Sequence, residues 1–117
     1  MENLECMISI ESLDSKESYK AEVHNDPDKN CLFYKEEDKT ITTFDYENNV
    51  LTRENEKMKL VYKFILNEKT ISNILIKDID KEVSMEVLTK KIEKTKDYIE
   101  IVYEIEDTIF TYKIVKE

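Results

Sequence analysis

Arg53, Tyr62, Phe64, Tyr103 and Tyr112 are the residues of this chain whose types and spacing could recognise a small molecule. Tyr62 and Phe64 lie two apart, as neighbours on one face of a strand do. Tyr103 stands in the same way between Ile101 and Ile105, and Tyr112 between Phe110 and Ile114. A tyrosine in an apolar wall offers a large ring and one hydroxyl that needs a partner, so such a set can hold a partly apolar ligand and orient it. Arg53, near a strand end, could pair with an anionic head group or with a neighbouring carboxylate. The competing reading is a solid core, with these rings filling space and Arg53 in a structural ion pair.

Other chemistry finds little support. The single histidine, His24, sits beside an Asn-Asp-Pro turn on the polar side of its segment. Nucleophilic or general-base catalysis needs a nucleophile, a base and an orienting group brought together, and no stretch supplies them. The chain has no glycine, which rules out every glycine-dependent phosphate loop and nucleophile elbow. Glu36-Glu37-Asp38 and the pair Asp78 and Asp80 are carboxylate-rich but lack the spacing of a calcium loop, and read as solvated hairpin tips. Cys6 and Cys31 stand alone, with no Cys-x-x-Cys pair, and read as free thiols. The expectation is a protein that is not an enzyme and carries no metal or cofactor.

The elements that must position the aromatic set are strands. From Lys57 to Phe64, Met58, Leu60, Tyr62 and Phe64 fall on one side while Lys57, Lys59 and Lys63 fall on the other. That alternation describes a strand with one buried and one solvated face. It recurs over residues 3–12, Tyr19–His24, Cys31–Tyr34, Ile41–Tyr46, Val50–Arg53, Thr70–Lys77, Tyr98–Glu106 and Phe110–Ile114. Residues 82–97 are ambiguous: Val83, Met85, Val87 and Thr89 suit a strand, whereas Val83, Val87, Leu88 and Ile92 could stripe a helix. Strands on both sides and short connections favour a strand there. Met7, Val61 and Val102 break the alternation and mark bulges or outer-face contacts.

Short polar turns between successive strands predict a meander, and a long meander hides its edges by closing. The expected fold is all-β, an antiparallel up-and-down barrel of about 8–10 strands. Its 117 residues fit one domain. With glycine absent where about eight would be usual, turns that need positive φ must turn to Asn or Asp.

Charge narrows the partners. The net charge is −9, and residues 1–56 carry 15 acidic and 6 basic side chains against 12 of each in the rest. Phosphate backbones and anionic membranes want the opposite sign, so neither nucleic acid nor a membrane is expected as a partner. No apolar run approaches a membrane span, and the N-terminal Met-Glu-Asn-Leu-Glu-Cys lacks the basic and apolar regions of a secretory signal. A cytoplasmic protein is the expectation.

From Val50 onward the chain resembles the YwiB-like family, small bacterial proteins of unknown function. The pattern is carried by Arg53 at a strand end, Met58 and Phe64 on one strand, a strand ending in Thr89 and a strand holding Tyr103. Met7-Ile-Ser-Ile10 sits where the family's first strand does. Two departures stand out: no glycine follows Arg53, and Ile76-Lys-Asp-Ile-Asp-Lys81 replaces a hairpin rich in aromatic, proline and glycine residues. The resemblance implies a calycin-type, lipocalin-like barrel and no particular activity. Two functions therefore stand side by side: a module that binds a small apolar or amphipathic ligand inside the barrel, or a solid barrel that meets a protein partner.

Overall fold

A computed structural model describes residues 2–117. Ten strands follow one another: β1 (Glu2–Glu11), β2 (Lys16–Asp26), β3 (Cys31–Lys35), β4 (Ile41–Asp45), β5 (Val50–Glu54), β6 (Met58–Lys63), β7 (Lys69–Ile76), β8 (Lys81–Lys94), β9 (Tyr98–Ile105) and β10 (Thr108–Lys116). Each pairs antiparallel with the next, and β1 pairs with β10, so the sheet closes into a barrel with every strand in sequence order. Closure satisfies the backbone groups that an open meander would leave along two edges.

The alternation decides which side chains fill the interior. Ile8, Ala21, Val23, Tyr34, Phe44, Leu51, Leu60, Val87, Ile101, Tyr103, Tyr112 and Ile114 are buried, and in every strand they occupy one parity. The outer parity is charged and laced by cross-strand pairs such as Lys90–Glu104 at 3.1 Å and Lys91–Glu100 at 3.2 Å. Exposed pairs of this kind add little stability, so burial of the inner parity is what holds the barrel.

Residues 81–94 form one strand, as the flanking strands and short connections predict, and the ambiguity has a physical source: the register slips between Thr89 and Lys91. The bulge at Lys90 resets the alternation, so Val87 and Thr89 point inward before it and Ile92 after it. Val102 faces this bulge, paired with Lys91 at the register shift, Met7 accepts from Ser18 Oγ at 3.1 Å on the outer face, and Val61 sits in a regular ladder. The sixth strand stops at Lys63, although Phe64 still turns inward and its N–H donates to the Asn49 carbonyl at 2.9 Å.

Positive φ occurs at Asn30, Asn49, Asn67, Asp80 and Asp107, as the missing glycines require, but also at Lys39 and Glu106. Those two lack the short side chain that eases the left-handed region, a strain of about 1–2 kcal/mol each. Both occupy hairpin turns whose geometry is imposed by the flanking ladders.

Candidate functional site

An up-and-down barrel has two ends. The turns 12–15, 36–40, 55–57, 77–80 and 106–107 ring one, and the turns 27–30, 46–49, 64–68 and 95–97 ring the other together with both ends of the chain. Inward side chains near each end line its mouth.

At the first mouth the sequence-predicted residues meet a network that sequence reasoning missed. Arg53 points inward from β5, as Leu51 does two residues earlier. Its guanidinium grips Glu36: Nη2 donates to Oε1 and Oε2, both at 3.0 Å, and Nε donates to Oε2 at 3.3 Å. Tyr19 Oη donates to the same carboxylate at 2.9 Å, and Thr42 Oγ1 donates to it at 3.1 Å. Deeper in, the Tyr34 and Tyr112 hydroxyls share a hydrogen bond of 2.7 Å. Glu36 read as part of a solvated hairpin tip, yet only 10% of its side chain is exposed. The signal that could have found it is parity, since Leu32, Tyr34 and Glu36 alternate inward just as Leu51 and Arg53 do.

Burial shapes the electrostatics of this end. It would by itself weaken Arg53's hold on its proton, but the Glu36 charge and hydrogen bonds outweigh it and raise the guanidinium further. Burial likewise pushes the hydroxyls of Tyr19, Tyr34, Tyr62, Tyr103 and Tyr112 above the usual tyrosine range. All five are therefore neutral hydrogen-bonding groups at physiological pH, not nucleophiles.

Tyr62, Phe64 and Tyr103 come together as an aromatic cluster. Ring centroids lie 5.9 Å apart for Tyr62–Phe64, 5.5 Å for Tyr62–Tyr103 and 5.2 Å for Phe64–Tyr103, and Phe110 stacks on Tyr103 at 5.4 Å. Phe64 and Tyr112 are each 1% exposed, so both pack as core. The five predicted residues thus share the interior: Arg53 already holds a carboxylate, and the rings pack against one another. Among the described residues two buried hydroxyls, Ser72 Oγ and Thr89 Oγ1, have no hydrogen-bond partner, and Thr89 stands directly across from Tyr103.

The second mouth was not anticipated at all. There a cleft of about 460 Å³ opens between β1, β2, β3, the β8–β9 turn and β10. Leu4, Cys6, Val23, Leu32, Ile99 and Ile114 give it an apolar floor that continues the core. Asn25, Tyr46, Lys94, Lys96, Asp97 and Lys116 stand among its polar lining. Lys94 ties across the opening, its Nζ donating to the Tyr46 carbonyl and to Asn49 Oδ1, both at 2.8 Å. Burial raises the Cys6 thiol, so Cys6 is an apolar floor residue rather than a reactive one. Each floor residue follows from alternation, but which end stays open depends on how turns from distant strands pack, and no local pattern encodes that.

His24 contributes to neither mouth. It stacks on Phe33 at 5.0 Å on the outer face, and its Nδ1 lies 2.6 Å from Asn3 Oδ1.

Fold and sites together define a ten-stranded, closed, antiparallel barrel with a polar network at one mouth and an apolar cleft at the other. The crystal structure of the YwiB protein from Bacillus subtilis is similar to it, with a TM-score of 0.61 over 98% of this chain and 89% of that one. The two sequences are 16% identical, so the likeness is one of fold. No family model matches the chain, and no curated protein matches it in sequence. Among the described residues no helix is long and apolar enough to cross a membrane.

Proposed function

We propose that this protein is a non-catalytic, calycin-like binding barrel of the cytoplasm that holds a small amphipathic molecule at the mouth beside the chain termini. The observation that carries this reading is the cleft of about 460 Å³, floored by six apolar residues and rimmed by polar ones. Its size lies in the ordinary range for small-molecule sites, and a barrel mouth is a common place for one. Tyr62, Phe64, Tyr103 and Tyr112 lie outside the cleft lining and pack as core, and Arg53 holds Glu36 rather than a head group. Two free cysteines suit a reducing compartment. The neutral tyrosines and the paired Arg53 offer no group poised for acid–base or nucleophilic work.

A second reading, a protein-interaction module, draws on the outer surface at the turn joining β6 to β7. Ile65, Leu66 and Ile71 are about half exposed at and beside that turn. Native mass spectrometry on protein purified gently from its own host separates the two. The binding reading expects a reproducible extra mass of a few hundred daltons that is lost on denaturation. A bare chain of 14.0 kDa, or a clean multiple of it, would favour the interaction module instead.

A further inference from the structure

We infer that the ligand of the terminal mouth carries an anionic head group on its apolar tail, and that Lys96 and Lys116 recognise that head. The inference rests on the binding reading above and adds the sign of the charge and the residues that read it.

The distribution of charge around the cleft is the reason. In a chain with 27 acidic and 18 basic side chains, its lining holds three lysines and one carboxylate, Asp97. Four lysines outside the cleft are paired with carboxylates: Lys77 with Glu54, Lys90 with Glu104, and Lys91 and Lys113 with Glu100. Among the described residues Lys94, Lys96 and Lys116 form no such pair. Lys94 is held by two neutral oxygens, which fix its position, and its charge is felt at Asp45, so Lys96 and Lys116 are the two lysines left to meet a ligand.

Lys116 is placed by the backbone, since its N–H donates to the Asp97 carbonyl at 2.8 Å and so ties β10 to the turn carrying Lys96. Glu117 lies outside the cleft lining, and its N–H donates to the Glu5 carbonyl of β1 at 3.0 Å. At Cys6, on the cleft floor, the charge of Lys116 is felt more strongly than that of Glu117. The cleft therefore presents a positive rim over an apolar floor, on a molecule that is negative overall.

An ammonium is a point charge without the fork geometry of arginine, so this rim reads charge more than shape. Carboxylate, sulfate and phosphate-ester heads share the required chemistry. An alkyl ammonium does not, and it meets repulsion from the same lysines.

The test is a head-group series on one tail, measured by calorimetry at low salt below any micelle concentration. The probes are decanoate, decyl sulfate, decan-1-ol and decylammonium. Decanoate and decyl sulfate are expected to bind about tenfold more tightly than decan-1-ol, with the advantage shrinking as salt is added. Decylammonium should bind most weakly. The double substitution Lys96→Gln with Lys116→Gln, at two exposed positions, should bring decanoate to the affinity that decan-1-ol shows in the same variant. Equal affinities across the series, or an unaffected preference in the double variant, would overturn the charged-head assignment while the cleft stays a binding site. Failure of all four probes to bind would remove the binding reading itself.

Discussion

Phe64→Ala is expected to destabilise the barrel by about 3–5 kcal/mol in urea denaturation. Phe64 is 1% exposed and touches both Tyr62 and Tyr103, so truncation removes a buried ring and leaves a cavity among rings that cannot collapse far. The same residue belongs to the set that sequence reasoning assigned to ligand contact. A ring lining an open chamber would lose little on truncation, because solvent or ligand already stands on one side of it. A loss below about 1 kcal/mol, together with weakened ligand binding, would return the site to the barrel interior.

Alkaline pH should unfold the protein cooperatively. Burial raises the hydroxyls of Tyr34, Tyr103 and Tyr112 above the ordinary tyrosine value of 10.0. The folded state therefore keeps these protons at a pH where the unfolded chain releases them. The stabilisation is fully present below pH 10 and is lost as pH climbs from there toward the folded values. Each buried tyrosine contributes a slope of about 1.4 kcal/mol per pH unit in that window. Three together give about 4, set against a typical domain stability of about 5–15 kcal/mol. Tyrosinate absorbance should thus rise abruptly, in step with loss of the strand signal in circular dichroism. A smooth rise near pH 10 with the strands intact would show that these hydroxyls are open to water.

The fold was legible because the barrel needs only one rule, alternation, and most segments obey it without interruption. Leu60, Tyr62 and Phe64 show it at its clearest. Where the rule failed, a local feature hid the register. The extra residue at Lys90 shifts the pattern by one and gives β8 a helix-like stripe. Lys39 and Glu106 adopt a backbone that their residue types do not announce.

The sites were legible only in part, for a different reason. Arg53 and the tyrosines could be placed inside by parity, but not their partners. Glu36 belongs to the same parity and was masked by the acidic neighbours Glu37 and Asp38 in a turn that looks merely solvated. The terminal cleft joins Leu4 and Cys6 to Ile99 and Ile114, residues brought together only when β10 closes on β1. Ring closure is a global event, and no window of sequence reports which mouth it leaves open.

The most direct measurement is backbone-amide chemical-shift mapping of decan-1-ol, a neutral probe whose binding needs only the apolar floor. Shifts confined to Leu4, Cys6, Val23, Leu32, Ile99, Ile114 and the 94–98 turn are expected. Shifts centred instead on Arg53, Tyr62 and Tyr103, or none at saturating probe, would contradict the terminal mouth as the binding site.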